Sequence, residues 1–238
     1  MVARVDAEPN DVRTRALAAA TRLFAERGFD GTSIQLIADA VGVSKPAVLH
    51  HFPSKEDLRR AVLDAIVEHW QAVLPRLLLA ASASHDRFDA VFGELHRFFA
   101  SEPNRARLVA RELFDRPGEV KKMLRGAVRP WLAAIAAYIK EGQAHGRHWE
   151  DVDPEAYVVH IMQLVVCATA SASVCRVAVD PEGDARGTSD RYDKELARIA
   201  RASLFKPAPA TATRRRERQT QPGPPAGPTK QSGHDKPR

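Results

Sequence analysis

Apolar residues recur at helical spacing from about Asp11 to the start of the 200s, and no alternating pattern survives more than a few positions, so helices are expected throughout. Ala16, Leu17, Ala20, Leu23 and Phe24 share one face of a first helix running from about Asp11 to Arg27, with Gly28 as its C-terminal stop. Ile34, Ile37, Ala38 and Val41 form the i, i+3, i+4, i+7 stripe of a short helix ending at Gly42. Thr32 followed by Gln35 predicts a capping box at its start. Ser44 caps the next helix, whose first turn holds Pro46, a position where a missing N–H costs nothing. Ser54, with Asp57 as its reciprocal partner, starts another.

That fourth helix continues through Leu58, Ala61, Val62, Ala65, Ile66 and Trp70 to about Leu74, where Pro75 is expected to perturb it. Periodicity places further helices at about 85–101, 103–115, 118–144, 154–178 and 188–204. Phe88, Phe92, His96 and Phe99 form one stripe, and Val120, Leu124, Val128, Trp131, Ile135 and Tyr138 another; such stripes are either ordinary core or the walls of a cavity. Residues 154–175 are apolar nearly all round, so that helix must be covered on most sides, by a core or by a partner.

Charge changes the picture less than it first suggests. The formal net charge is +6, but from Lys206 onward eight basic residues face only Glu217 and Asp235, so the tail holds all of it. Any nucleic-acid argument must therefore rest on local residues. Residues 206–238 lack large apolar side chains and are rich in Pro, Gly, Gln, Thr and Ser, which predicts a disordered basic tail: a solvated segment, or a loose phosphate-binding arm built on Arg214, Arg215, Arg216 and Arg218.

Cys167 and Cys175 lie on one helix with roughly 12 Å of rise between them, too far apart for a disulfide. Residues 1–16 have no apolar leader core, and the run 161–175 is too short to span a bilayer, so a cytoplasmic protein without a membrane partner is expected. No nucleophile elbow, zinc-protease helix, phosphate loop or dinucleotide fingerprint is present, and no cofactor is expected. Residues 145–153, with His145, His148, Glu150, Asp151 and Asp153, come nearest to a metal or acid/base cluster; they lack regular ligand spacing and read as a polar loop.

The short helices on either side of Gly42 form a helix-turn-helix pattern, which places the second helix in a DNA major groove. With Val48 at the buried centre, 100° per residue turns Lys45, Pro46, Ala47, Leu49 and His50 outward and Phe52 back to the core. That face is small and free of carboxylates, as an approach to base edges and thymine methyls requires. His50 and His51 have no further Cys or His at ligand spacing, so no metal is expected there.

Residues 23–58, "LFAERGFDGTSIQLIADAVGVSKPAVLHHFPSKEDL", resemble the DNA-binding domain of the TetR family of transcriptional regulators in helix lengths, turn glycine and the blocks "GFDGTS", "GVSK" and "HFPSKEDL". The resemblance implies an all-α protein. Its parts are a flexible N-terminus at 1–9, a three-helix DNA-binding domain at 10–56, a helical ligand-binding and dimerisation domain at 57–205, and the tail at 206–238. It further implies that Thr32 and Ser33 hold phosphate, that Lys45, Pro46 and Ala47 meet bases beside Ser44 and His50, and that His51 and Lys55 clamp the backbone. The family usually has Tyr where this chain has Leu49; either a thymine methyl replaces the phosphate contact, or Leu49 packs inward.

By the same analogy Phe92, His96, Phe99, Arg111, Trp131, Ile135 and Tyr138 line a cavity for a small hydrophobic effector. The helices near 154–178 and 188–204 would form a homodimer that presents two recognition helices to a near-palindromic operator in double-stranded DNA. The expected protein is a ligand-responsive regulator, most simply a repressor. The alternatives are a regulator of the same fold without a small ligand, and a helical enzyme or carrier that uses the C-terminal cavity.

Overall fold

The computed structural model describes residues 9–80, 84–179 and 185–207; the expected flexible N-terminus and almost all of the basic tail lie outside them. Among the described residues the architecture is helical: α1 (Pro9–Arg27), α2 (Ile34–Val41), α3 (Lys45–His51), α4 (Lys55–Ala80), α5 (Ser84–Ala100), α6 (Pro103–Asp115), α7 (Pro117–Met123), α8 (Arg129–Ala144), α9 (Pro154–Val179) and α10 (Ala185–Ala202). The described residues up to Phe205 form one compact unit.

Two apolar clusters organise it. The first joins Ala16, Ala20 and Phe24 of α1 to Ile37, Val48, Leu58 and Val62, and also takes in Leu108 from α6. The second gathers Trp70, Phe88, Phe92, Phe98, Phe99, Tyr138, Val165, Leu196 and Leu204. Because α6 contributes to the first cluster and packs on both α1 and α9, it ties the N-terminal helices to the rest of the chain.

Local chemistry sets the boundaries. Gly28 stops α1 with φ +75°, its N–H donating to Phe24 O. The cap of α2 sits one residue later than the sequence pattern predicts. Ser33 accepts from Leu36 N at 3.1 Å, while the Gln35 amide turns outward to Asp39. Thr32 does not cap: its buried hydroxyl is turned toward the end of α1, donating to Leu23 O (3.1 Å) and Gly28 O (2.8 Å).

Pro75 does not perturb its helix as expected, and Pro130 breaks one that was expected to be continuous. α4 runs through Pro75 to Ala80, carried past the missing N–H by buried Trp70 and Leu74. The expected single helix over 118–144 is instead interrupted by a π-turn, Leu124–Val128, where Arg129 N donates to Leu124 O five residues back. Pro130 accounts for it, since it can neither donate to the Gly126 carbonyl nor fit beside it in an α-helical turn.

Residues 145–153 form a loop, mostly exposed, with His148 as its one buried residue. His148 is fully buried, its ring edge-on to Tyr138 (5.4 Å) and Phe205 (4.7 Å), with Nδ1 3.0 Å from Ile139 O. Trp149 N donates to Leu204 O, and the Gln143 amide donates to the carbonyls of Trp149 and Val152, closing the α8–α9 connection onto the end of α10. No group of three or more metal-ligating side chains occurs among the described residues.

The His148 ring lies directly on Gly142, where a Cβ would come within 2.0 Å of Nδ1. Gly142→Ala should therefore destabilise the protein by ~1–3 kcal/mol through overpacking. The expected result is a lowered melting temperature in thermal denaturation; an unchanged one would mean that the ring moves aside freely.

α9, expected at about 154–178, has 26 residues, and although the run 161–175 alone is too short, the whole helix could cross a bilayer by length and composition. Here its Val158, Val165 and Val166 are buried in the helical core, while Val174 and Val177 stay 73% and 62% exposed. Cys167 and Cys175 on the same helix are free thiols.

Candidate nucleic-acid interface and effector cavity

Helices α2 and α3 meet at Gly42, whose φ of +70° lets its N–H reach Asp39 O and the Val43 N–H reach Ala38 O, a Schellman closure. Ser44 then caps α3 by accepting from Ala47 N, and Pro46 occupies the first turn. Val48 is completely buried and Phe52 nearly so, which fixes the helix by one side. Lys45, Pro46 and His50 are exposed, and Ala47 is half-exposed beside them. His51 is half-buried, with its ring 5.2 Å from that of His50.

Leu49 is half-buried and packs against the N-terminal cluster. Ser33 is exposed at the start of α2. Two residues expected on phosphate are engaged inside the protein instead. Thr32 spends its hydroxyl on the carbonyls named above, and the Lys55 ammonium donates to Phe29 O at 2.9 Å and Thr32 O at 3.0 Å while lying 4.1 Å over the Phe29 ring. Lys55 thus closes the loop between α1 and α2 onto the start of α4.

A cavity lies among α4 to α9. It encloses about 370 Å³ and is lined by Ile66 and Trp70 of α4, Phe88, Phe92 and Phe99 of α5, Trp131, Ile135 and Tyr138 of α8, and Tyr157 and Met162 of α9. Phe92, Phe99, Trp131, Ile135 and Tyr138 are thus placed on its wall as the sequence pattern has them. His96 and Arg111 are not. His96 faces Asp193 of α10 at 3.3 Å, and Arg111 donates to Ala25 O and Glu26 O, closing the C-terminal end of α1. The Tyr157 hydroxyl is tied to Ala200 O, and burial raises its pKa above the usual phenol range.

Between recognition helices and cavity stands an ion-pair network that the sequence pattern did not reveal. Arg59 of α4 is buried and pairs with Glu112 of α6, also buried, and its Nε donates to Glu56 at 2.9 Å. Arg116 reaches the other Glu56 oxygen at 3.3 Å and stacks 4.2 Å over Phe29. Hydrogen bonding to Arg59 holds the Glu56 carboxyl below its ordinary range; burial pushes Glu112 up against the pull of Arg59 and Arg116.

A helix-turn-helix on three short-range-packed helices, joined through a long α4 to a hollow helical domain, is the architecture of a one-component DNA-binding regulator. Residues 16–62 match the family described as bacterial regulatory proteins, tetR family, and residues 108–182 match the tetracyclin repressor-like C-terminal domain, together just over half of the chain. The chain belongs to the TetR family. It is 33% identical over 133 residues to the HTH-type transcriptional regulator RutR of Escherichia coli K12, a match covering 53% of this chain and 61% of RutR, less than two thirds of that relative's length. It is 29% identical over 154 residues to the HTH-type transcriptional repressor KstR2 of Rhodococcus jostii, covering 60% of this chain and 71% of that one.

Among solved structures, the ketosteroid transcriptional regulator KstR2 of Mycobacterium tuberculosis superposes with a TM-score of 0.62 at 16% identity, covering 86% of this chain and 98% of that one. A transcriptional regulator from Saccharomonospora viridis in complex with choline gives 0.61 at 20%, covering 83% and 100%. These two likenesses establish the fold. The family and the named relatives are regulators and not enzymes, which sets the enzyme alternative aside.

Proposed function

We propose that this chain is a dimeric, effector-controlled transcriptional regulator, acting as a repressor on a near-palindromic operator. The observation that carries the DNA-binding part is α3: it is fixed from beneath by Val48 and Phe52 and presents Lys45, Pro46, Ala47 and His50 outward with no carboxylate among them. In this reading Lys45, Pro46 and Ala47 meet base edges; Ser33, Ser44, His50 and His51 face the backbone; and Thr32, Leu49 and Lys55 hold the domain's shape from within.

Effector control rests on the cavity sharing α4 with the DNA-binding domain. A molecule that parts Ile66 and Trp70 from the opposing walls bears on the same helix whose first turns carry Leu58 and Val62 into the N-terminal core. Release from DNA then requires that the ligand bind the displaced arrangement more tightly than the DNA-bound one. Capture of choline by the Saccharomonospora viridis regulator supports small-molecule binding in this fold.

Dimerisation is assigned to α9 and α10, where Leu164, Val174, Val177 and Ile199 are exposed. A second copy covers that surface, and two-fold symmetry sets the recognition helices about one DNA turn, ~34 Å, apart. Such a protein works in the cytoplasm, where its DNA is.

A gel shift on the DNA upstream of the gene tests the reading. The expected result is a retarded band that excess unlabelled operator removes and a palindrome-scrambled competitor does not; binding without sequence preference at physiological salt would refute it. Lys45→Ala should weaken binding and relax sequence preference with little change in the slope of log K against log salt. A slope lowered by about 0.9 with sequence preference intact would move Lys45 from base to backbone.

A further inference from the structure

The charged residues around the cavity are all of one sign. Its wall includes Arg87, Arg125 and Arg129 and no Asp, Glu or Lys. Elsewhere in the same domain arginines are matched by carboxylates, Arg97 by Glu94, Arg176 by Asp193 and Arg201 by Asp89. The guanidinium groups of Arg125 and Arg129 have no hydrogen-bond or ion-pair partner among the described residues. They are exposed, stand four positions apart so that their like charges share one side of the chain, and sit in and just after the π-turn Leu124–Val128.

Each of these features is unfavourable or neutral for the empty protein. Two unpaired guanidiniums on one side repel, and a π-turn gives up regular helical bonding; π-turns gather at functional sites. Inward of them the wall turns apolar at once, through Leu124, Val128, Trp131 and Leu132. The rim is therefore cationic and the interior greasy, with two planar bidentate donors side by side.

We infer that the cavity takes an amphipathic anion: an apolar chain or ring system inside, and an acidic head such as a carboxylate held at the rim by Arg125 and Arg129. The inference rests on the cavity being an effector site and adds the chemical class of the effector. It also gives the π-turn a role, because an anion that draws the two arginines together pulls on the segment between α7 and α8 and so on the wall opposite α4.

The test uses the full-length protein and two probes of equal chain length, decanoate and 1-decanol, followed by tryptophan fluorescence, since Trp70 and Trp131 line the cavity. Decanoate should bind at least about tenfold more tightly than the alcohol, the equivalent of one charge-assisted contact. Arg125→Ala with Arg129→Ala should bring decanoate down to the level of 1-decanol, and Arg125→Lys with Arg129→Lys should keep most of the preference. Equal binding of acid and alcohol by the unaltered protein, or binding of neither, would overturn the inference, as would a preference that survives the double alanine variant.

The gel shift separates this from the effector reading itself. Decanoate that binds through the arginines without releasing DNA refutes effector control and leaves the anion site standing. DNA release by decanol as effective as by decanoate does the reverse.

Discussion

Glu112→Ala is expected to destabilise the protein by ~3–5 kcal/mol, lowering the apparent melting temperature by roughly 6–20 °C for a chain of this size. The reason is the charge left behind. Arg59 is buried at 3% exposure and divides its guanidinium between Glu112 and Glu56, so removing Glu112 leaves one of its nitrogens in a low-dielectric contact between α4 and α6 with nothing to accept its hydrogen. Glu56 cannot substitute, since it is already shared with Arg116 and stands on the opposite side of the pair. Removing both buried partners, as Arg59→Met with Glu112→Leu, should recover most of the loss, because an apolar pair of similar volume carries no desolvation cost.

Differential scanning fluorimetry on the three proteins checks this. A double variant no more stable than Glu112→Ala would show that the network supplies net stability and not only the avoidance of an orphaned charge. The pH dependence has a worked sign. Glu56 has a folded pKa below its unfolded one, so its contribution is present above the ordinary carboxylate range and fades as pH falls through the folded value. Glu112 is shifted upward by burial, so its contribution is present below the unfolded pKa and fades as pH rises through the folded value. Glu112→Ala should therefore remove a term that weakens stability on raising the pH, and leave the Glu56 term in place.

This network is also where sequence reasoning had least to work with. Arg59 and Glu112 are 53 positions apart, each on the face of a helix whose neighbours give no hint that it is buried, and only the crossing of α4 and α6 brings them together. Arg111 and His96 mislead for a related reason: a polar residue beside an apolar stripe looks like a cavity handle until the neighbouring helix, α1 or α10, supplies its partner. Local grammar did better. The stop at Gly28, the turn at Gly42, the cap at Ser44 and the buried centre at Val48 all follow from interactions within a few residues. Thr32 and Ser33 mark the limit of that grammar. Both can cap a helix, and the choice falls to Ser33 because the Thr32 hydroxyl is turned inward to Leu23 O of α1 and to Gly28 O just past its end. The prolines show the same dependence on packing, with Pro75 absorbed and Pro130 turned into a π-turn.

Ala47→Glu is expected to abolish operator binding, with a loss of about 100-fold or more, while leaving the fold at least as stable as before. Ala47 sits half-exposed in the first turn of α3, between Lys45 and His50, on the side that faces the groove. A carboxylate there loses any close apolar contact with the bases, each such contact or base-specific bond being worth ~1–3 kcal/mol, and adds repulsion from the phosphates on either side. The same carboxylate is favoured by the helix itself, since negative charge near the N-terminal turn complements the helix dipole, and the Ala47 N–H that Ser44 accepts is untouched by the change. Stability and DNA affinity therefore move in opposite directions, which a general folding defect cannot produce. Melting temperature and gel shift measured on the same preparation decide the matter: a variant that still retards the operator within a few fold of the parent would show that α3 does not enter the groove by its N-terminal half.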